Sequence, residues 1–312
     1  MSWKLAAHGL PVGGAKAGIA CRPDHPDIYE ILKELANFWG DPLSNSVILG
    51  KDMGATDKLL DFLYESLGKP QLHIIQKNNP KVPARIRDLD GYIRDMTGLG
   101  AVIAAEAAVG SLAGKKILIQ GAGVVGIGVA IRAEERGAIL VGISDINQGY
   151  TSLSGLPVAK NTIVSRQTGN SLQLSSLVGD QAKRIPTDDL LKLDADILFL
   201  AAGSNVISES LSRTVMPDIV VEASNFGLTD QANQFLLNHG KMIIPDIISS
   251  SSSAAFTCYQ IAQENNWEPS QLWKKIENNI YCAVTRAMRL STQTGISIRA
   301  AYKQLHQKVL IA

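Results

Sequence analysis

Residues 116–126 read Lys-Ile-Leu-Ile-Gln-Gly-Ala-Gly-Val-Val-Gly, a short apolar run followed by a glycine-rich turn. The run is typical of a buried parallel strand, and the turn matches the pattern GxGxxG at the start of a predicted helix. Asp145 ends the next predicted strand, 19 residues after the last glycine of the turn, close to the spacing of about 20 that a ribose-binding acid requires. A dinucleotide-binding unit is therefore predicted at this turn.

The residues of the turn have separate physical roles. Gly121 permits the tight bend, Gly123 lets the backbone approach a pyrophosphate, and Gly126 lets the helix pack against the strand. The backbone N–H groups at the helix start, which include those of Val124 and Val125, would bind the phosphates. A glycine-rich turn that binds nothing is the alternative.

The carboxylate of Asp145 decides between two cofactors. It would accept hydrogen bonds from the hydroxyls of an adenosine ribose, and its negative charge would repel a 2′-phosphate. The sequence therefore predicts NAD in preference to NADP.

Apolar runs of strand length alternate with helical patterns after this turn. Because parallel strands need helical crossovers, the alternation predicts a doubly wound, Rossmann-type parallel sheet covered on both faces. The stretch from Tyr150 to Pro186 is polar and weakly patterned, and we expect it to be irregular. Further strands are predicted at residues 139–144, 197–201, 219–222 and 242–244, and helices at 124–136, 188–193, 208–213, 230–238, 254–265, 269–289 and 297–309.

The length of 312 residues suits two domains. We expect residues 1–96 and 285–312 to form a smaller α/β catalytic domain completed by the C-terminal helix, and residues 97–284 to form the cofactor domain. In the first part of the chain, helices are predicted at residues 26–39 and 57–67, a short strand at 46–49, and an alanine-rich helix from about residue 97 to 110.

Composition narrows the class of partner. Thirty Lys and Arg against 29 Asp and Glu give a net charge of +1, which offers no electrostatic reason to expect nucleic acid or an anionic membrane. The three cysteines are scattered, so neither a disulfide framework nor a metal site is predicted, and a reducing cytoplasm is the expected location. No apolar run reaches the roughly 20 residues of a membrane span.

Two lysines and one carboxylate near the start of the chain are candidates for chemistry. Lys4 and Lys16 lie twelve residues apart, and Lys16 belongs to a glycine-rich segment, residues 13–18. A lysine in such a turn can be desolvated, which lowers its pKa and suits it to polarising a carbonyl or a water molecule. Asp52 follows the predicted strand at residues 46–49. Solvated surface charges are the alternative interpretation of both lysines.

Segments spread along the chain resemble the glutamate/leucine/phenylalanine/valine dehydrogenase family. The resemblance runs in family order from Met1 almost to the C-terminus, so the chain is identified as a member of that family. The matching segments are residues 1–4, 10–18, 51–54, 97–100, 196–202, 221–225, 245–247 and 297–302.

The resemblance implies an NAD-dependent oxidative deamination that converts an L-amino acid to the 2-oxo acid and ammonium, reversibly. Lys16 would polarise the reacting carbonyl or activate water, and Asp52 would transfer a proton at the amine, the two side chains facing each other across a cleft. Lys4 would hold the substrate α-carboxylate, and Thr257 would supply a hydroxyl to the substrate. The cofactor-binding positions implied in the same way are Thr97, Ala201, Ala202 and Asn225, with Thr97 and Asn225 at the nicotinamide end.

Two departures from the family pattern bear on activity. The family has a further segment before its Met-x-x-Lys motif, and we expect this chain to lack it, through either an internal methionine taken as the start or a true truncation. The family's Asn-Ala-Gly-Gly turn is replaced by four serines, residues 250–253, which can cap the helix that follows or form a plain loop. The departures motivate an alternative function, a non-catalytic NAD-binding relative that serves as a regulatory or assembly subunit.

The choice of amino acid is left open by the sequence. The glycine-rich segment at residues 13–18 resembles the glutamate branch, whereas the 36 residues between Lys16 and Asp52 resemble the spacing of the leucine/phenylalanine/valine branch. The family resemblance also implies a homo-oligomer.

Overall fold

The computed structural model describes residues 1–10, 13–45, 47, 49–50, 54–68, 96–169, 172–262 and 269–307. The chain divides into two compact units. The larger consists of Met1–Gly14, Gly91–Thr257 and Trp267–Ala312, and the smaller of Ala15–Asp90 and Cys258–Asn266.

This division by packing differs from the predicted domain boundaries. Residues 1–14 and 285–312 belong to the larger unit, together with the sheet, rather than to a unit of their own with residues 15–96. The reason is visible at Tyr302, which is fully buried and whose hydroxyl donates to the carbonyl of Trp3 (2.6 Å) and accepts from the N–H of Ala7 (3.0 Å). The functional division into a substrate domain and a cofactor domain stays a prediction.

The larger unit is an α/β structure built on a seven-stranded sheet. Its strands are β1 (Lys116–Gln120), β2 (Ile139–Ser144), β3 (Gly149–Thr151), β4 (Lys183–Ile185), β5 (Ile197–Leu200), β6 (Ile219–Glu222) and β7 (Met242–Ile244). Its helices are α1 (Ser2–Ala6), α4 (Met96–Val109), α5 (Val124–Glu134), α6 (Val158–Thr168), α7 (Leu174–Leu177), α8 (Glu209–Ser212), α9 (Asp230–Asn238), α10 (Asp246–Ser249), α12 (Pro269–Thr294) and α13 (Ile298–His306), with a 3₁₀ helix at Thr187–Lys192. Helix α11 (Ser252–Ala262) belongs to the larger unit up to Thr257, and its residues from Cys258 on belong to the smaller unit.

The strand order is β4-β3-β2-β1-β5-β6-β7. Strands β2, β1, β5, β6 and β7 run parallel, whereas β3 is antiparallel to both β2 and β4. The central strands are apolar and buried, as expected when helices cover both faces of a sheet. The predicted Rossmann-type architecture is confirmed, and the carboxyl ends of the five parallel strands lie along one edge of the sheet.

The prediction that residues 150–186 are irregular is wrong. This stretch contains α6, α7 and β4, and it begins within β3. The short strands are defined by pairing with β2 and with each other, which is information that a local pattern does not carry. Helix α6 buries only a narrow set of residues (Val158, Ala159 and Thr162), so its apolar periodicity is weak.

Helix α4 lies in the interior of the larger unit, and most of its residues are buried. It approaches α5 closely at Gly98, where an added Cβ would lie 2.3 Å from the carbonyl carbon of Gly128. A glycine is therefore required at residue 98 for the two backbones to meet. Its neighbour Thr97 is thereby held at the N-terminal end of α4.

The smaller unit has a core of its own, formed by α2 (Ile28–Asn45) and α3 (Asp57–Ser66). Thr56 caps α3, accepting the N–H of Leu59 at 3.3 Å, as the sequence predicts. Helix α2 is kinked at Gly40, which has φ 27° and ψ −102°. The predicted strand at residues 46–49 lies in part outside the described residues, and Asp52 lies wholly outside them.

Candidate active site

The glycine turn connects β1 to α5, and its geometry explains each glycine. Gly121 has φ +102°, a conformation that L side chains rarely adopt, and an added Cβ would lie 2.5 Å from the backbone nitrogen of Ala202. At Gly126 an added Cβ would lie 1.8 Å from the carbonyl oxygen of Gly121. Gly123 differs, because an added Cβ there would meet nothing within 4 Å. Close backbone contacts therefore require glycine at residues 121 and 126, whereas Gly123 leaves open space beside the backbone.

The N-terminal end of α5 lies at this open space. The helix begins at Val124 with Gly123 as its N-cap. The first backbone N–H groups of any α-helix have no partner within the helix, and they carry the positive end of its dipole. Val124 is exposed and Val125 is half-buried, so the start of α5 is accessible to an anion.

The loops after β5 and β6 are tied to each other beside the turn. The hydroxyl of Ser204 donates to the carbonyl of Asn225 (2.7 Å), and the N–H of Asn205 donates to the carbonyl of Phe226 (2.6 Å). Asn205 and Phe226 are the two non-glycine residues with positive φ in the described part of the chain, at 55° and 50°. The paired loops hold Ala202 and Asn225 at the carboxyl edge of the sheet.

Asp145 stands at the carboxyl end of β2, as predicted. Its Oδ1 accepts the backbone N–H groups of Asn147 and Gln148, both at 2.8 Å. These bonds fix the carboxylate in a turn, and the residue is half-buried. Asp145 therefore lies at the same sheet edge as Gly121–Gly126.

Lys4 is a buried lysine, only 8% exposed. Its Nζ donates to Oδ1 of Asn225 at 2.6 Å and to Oγ of Ser250 at 2.5 Å, with a longer contact of 3.4 Å to the Ser250 carbonyl. Two residues that the sequence assigned to substrate and to cofactor, Lys4 and Asn225, are thus brought into direct contact.

The serines that follow β7 form a buried polar cluster, which the prediction of a cap or a plain loop missed. Ser250 has φ −107° and ψ 25°, so this position needs no glycine-like conformation. The hydroxyls bind four separate places: Ser249 donates to the Glu222 carbonyl (2.6 Å), Ser250 to the Asp246 carbonyl (2.8 Å), Ser251 to the Ile248 carbonyl (2.7 Å) and Ser252 to the Met96 carbonyl (2.6 Å). The cluster joins β6, α10, α11 and the start of α4.

His8 is buried, one helical turn after Lys4, and contacts the next serine. Its Nε2 lies 2.9 Å from Oγ of Ser251. Because that hydroxyl donates its proton to Ile248, Nε2 is the donor, and Nδ1 is left to accept from Nδ2 of Asn279 (3.5 Å). Burial, together with the nearby charges of His306 and Lys275, lowers the pKa of His8 to about 4. His8 is therefore a neutral structural residue.

The remaining predicted residues are placed as follows. Thr97 is half-buried at the start of α4, and Thr257 is exposed on α11, where its hydroxyl donates to the Ser253 carbonyl at 3.1 Å. Lys16 belongs to the smaller unit, and partial burial lowers the pKa of its ammonium although much of the residue remains exposed. Asp52 lies outside the described residues, so its prediction stands without a structural description.

The described residues contain neither a metal-binding cluster nor a membrane-spanning helix. Among these residues, His, Cys, Asp and Glu side chains form no group of three or more that could hold a metal ion. No helix within the described ranges combines the length and the apolar character needed to cross a membrane.

Residues 92–311 match the model of the Glutamate/Leucine/Phenylalanine/Valine dehydrogenase family. The chain belongs to this family. Its curated relatives include the NAD-specific glutamate dehydrogenase of Staphylococcus aureus (strain COL), 28% identical over 313 residues, which cover 96% of this chain and 74% of the relative. Glutamate dehydrogenase A2 of Halobacterium salinarum is 27% identical over 292 residues, covering 90% of this chain and 68% of the relative.

Among solved structures, this family member is similar to a hetero-hexameric glutamate dehydrogenase from Thermus thermophilus in a Leu-bound form. The TM-score is 0.77 with 26% sequence identity, and the match covers 99% of this chain and 75% of that one. The family resemblance drawn from sequence segments is confirmed.

One feature of this dehydrogenase-family site carried no recognisable local signal in the sequence. Arg299 on α13 donates from Nη2 to Oε2 of Glu222 (2.6 Å) and to Oδ1 of Asp246 (2.7 Å), and both carboxylates are buried. Burial raises the pKa of Glu222, and the negative charge of Asp246 adds to that rise while Arg299 opposes it. The guanidinium also lies 5.5 Å from the ring centre of Phe226. Arg299 therefore holds together the ends of β6 and α10 that present Asn225 and Ser250.

Proposed function

We propose that the chain catalyses the NAD-dependent oxidative deamination of an L-amino acid, giving the 2-oxo acid and ammonium, and the reverse reaction. The proposal rests on one observation: the Gly121–Gly126 turn, Asp145 and the Lys4–Asn225 contact lie together at the carboxyl edge of one sheet. In open α/β sheets, ligands bind outside the carboxyl ends of the strands.

The residues at this edge fit NAD. The space beside Gly123 and the exposed start of α5 suit a pyrophosphate, which would be held by the N–H groups of Val124 and Val125. Asp145 would bind the adenosine ribose, and Ala201 and Ala202 would line the approach next to Gly121. NAD, when bound, accepts the hydride from the substrate Cα.

Lys4 would bind the α-carboxylate of the amino acid. A buried ammonium whose position is fixed by two side-chain acceptors is well suited to a charge-assisted bond with a carboxylate. Asn225 and Thr97 would serve the nicotinamide end of the cofactor, and Thr257 would offer its hydroxyl to the substrate.

Lys16 and Asp52 would carry the acid–base chemistry. The lowered pKa of Lys16 supports its role, since a lysine that loses its proton more readily can, as the neutral amine, take a proton from the water that attacks the imine. Once protonated, it would donate to the oxygen of the resulting carbinolamine and of the carbonyl that forms from it. Asp52 would take the proton from the substrate amine and return it when ammonium leaves. A water molecule is consumed, and the electron pair leaves the substrate as hydride.

L-Glutamate is the first substrate to test, because two of the relatives are named glutamate dehydrogenases. We further propose a homo-oligomer, from the family resemblance, and a cytoplasmic location, from the three scattered cysteines.

The test is an initial-rate assay of NADH formation with L-glutamate, L-leucine, L-phenylalanine and L-valine. We expect turnover with at least one of them, and Lys16→Met to reduce kcat by roughly a hundredfold or more, as loss of a general acid–base group does. Lys58→Met is the matched control, because Lys58 is an exposed lysine of the smaller unit on α3. NAD binding without turnover of any amino acid would contradict the proposal and indicate the non-catalytic subunit instead.

A further inference from the structure

We propose that Ser250 is a positioning residue that fixes the ammonium of Lys4 for the substrate carboxylate, an inference that rests on the proposed function. Ser250 stands where the family resemblance places an asparagine beside the cofactor. In this chain its hydroxyl instead contacts the lysine assigned to the substrate, at 2.5 Å.

The direction of the hydrogen bond follows from a count of protons. A serine hydroxyl has one proton and two acceptor lone pairs. That proton is donated to the carbonyl of Asp246 at 2.8 Å, so the oxygen presents its lone pairs to the ammonium of Lys4. The hydroxyl is therefore an acceptor whose orientation is set before any substrate arrives.

The ammonium of Lys4 is held from two sides. Asn225 approaches it from the loop after β6, and Ser250 from the end of α10. A lysine ammonium is a point charge on a flexible four-carbon stem, and it has no planar fork of its own to orient a carboxylate. Two fixed acceptors supply the missing orientation, which a single acceptor on one loop would not.

Ser250 is itself held rigidly. Its bond to the Asp246 carbonyl lies within α10, and the Asp246 carboxylate is bound by Arg299. Its neighbours Ser249 and Ser251 are fully buried, with hydroxyls that donate to Glu222 and Ile248. A side chain fixed in this way transmits its position to Lys4 without needing to touch the substrate.

Three variants test this role in steady-state kinetics with the L-amino acid that the unmodified enzyme oxidises best. Ser250→Ala removes the acceptor, and Ser250→Thr retains a hydroxyl at the same position. Ser212→Ala is the matched control, because Ser212 is also buried and its hydroxyl likewise donates to a nearby backbone carbonyl, that of Glu209 at 2.6 Å. Ser212 lies on α8, and it takes no part in the contacts of Lys4.

Ser250→Ala removes one charge-assisted hydrogen bond from Lys4, the residue that would bind the substrate carboxylate. We therefore expect KM for the amino acid to rise about tenfold. We expect kcat and KM for NAD to stay within about twofold, since the loss concerns substrate binding and not the chemical step. Ser250→Thr should recover most of the KM, and Ser212→Ala should leave it unchanged.

Several outcomes would overturn the inference, and they can be told apart. An unmodified protein that oxidises no amino acid removes the proposed function and the role of Ser250 with it. An active unmodified enzyme with an unchanged amino acid KM in Ser250→Ala removes the role of Ser250 alone. A rise in KM for NAD without one for the amino acid would assign Ser250 to the cofactor, and a Ser250→Thr variant as impaired as Ser250→Ala would mean that the hydroxyl is not the determinant.

Discussion

The glycines of the turn differ in what surrounds each of them. Gly126 faces the carbonyl oxygen of Gly121 at a distance that excludes any side chain, whereas Gly123 faces open space. The same residue type is therefore required for packing at Gly126, and it borders open space at Gly123. Sequence reasoning assigned these two roles in advance, because the GxGxxG pattern lies within a few consecutive residues and its geometry is local.

Substitution by alanine at these two positions should separate folding from binding. Gly126→Ala forces a methyl group onto a backbone oxygen and should lower Tm by several degrees, the size expected for about 1–3 kcal/mol of overpacking. Gly123→Ala should leave Tm nearly unchanged and weaken NAD binding about tenfold or more by filling the space for the pyrophosphate. Thermal melts and calorimetric NAD titrations measure both effects. Equal losses of Tm in the two variants would contradict this assignment.

Asp145 sets the expected choice between NAD and NADP. Asp145→Asn removes the negative charge while keeping an oxygen that can accept the N–H groups of Asn147 and Gln148. We expect the ratio of kcat/KM for NAD to that for NADP to fall by about tenfold, since repulsion of the 2′-phosphate is lost. A ratio that does not change would show that another residue selects the cofactor.

Two polar residues one turn apart, Lys4 on α1 and His8 just after it, contact the consecutive serines Ser250 and Ser251. The sequence could predict the two ends of this arrangement separately but not their contact, because they lie more than 240 residues apart in the chain. The serine run also lacks any local signal for burial, since serine is more often exposed. Burial here follows from the four acceptors that surround the run.

The neutral state of His8 makes part of the stability depend on pH. Its pKa in the folded protein, about 4, lies below the ordinary 6.5, so the unfolded chain takes up a proton at a higher pH than the folded chain does. This contribution is fully present above pH 6.5 and is lost as the pH falls towards 4, by up to about 3 kcal/mol at 1.36 kcal/mol per pKa unit.

His8→Gln should reduce this acid sensitivity, because the glutamine Nε2 can take the place of the histidine Nε2 and donate to Ser251, and glutamine does not titrate. We expect Tm of the variant to fall less than that of the unmodified protein between pH 6.5 and 4. Other titrating groups are common to the two proteins, so the difference between their Tm profiles isolates His8. Parallel profiles would mean that His8 is protonated in the folded protein at the same pH as in the unfolded one.

At the level of elements, the apolar parallel strands are predictable from the sequence and the half-polar antiparallel ones are not. Strand β1, with three consecutive fully buried residues, has a continuous apolar pattern, which a buried parallel strand requires. Strands β3 and β4 have three residues each, and half-polar sequences that acquire their conformation only by pairing. The polar sequence of residues 150–186 therefore predicts irregular structure, and the strands within it are missed.

In the whole molecule, the parts of the site come from distant segments of the chain. Asn225 follows β6, Ser250 follows α10, and Arg299 lies on α13, from which it joins Glu222 and Asp246. The family resemblance identified most of these segments from the sequence, whereas the contacts among them are seen only in the folded structure. The acid–base assignment of Lys16 and Asp52 remains a prediction, supported at Lys16 by its lowered pKa.

We propose that the carboxyl edge of the sheet, with the Gly121–Gly126 turn, Asp145 and Lys4, binds NAD and the amino acid that NAD oxidises. The most direct measurement is the amount of NADH, ammonium and 2-oxo acid formed in one reaction from the best L-amino acid substrate. We expect equal amounts of all three, with the reverse reaction consuming NADH only when both the 2-oxo acid and ammonium are supplied. NADH formed without ammonium, or NAD bound with no product of any kind, would contradict it.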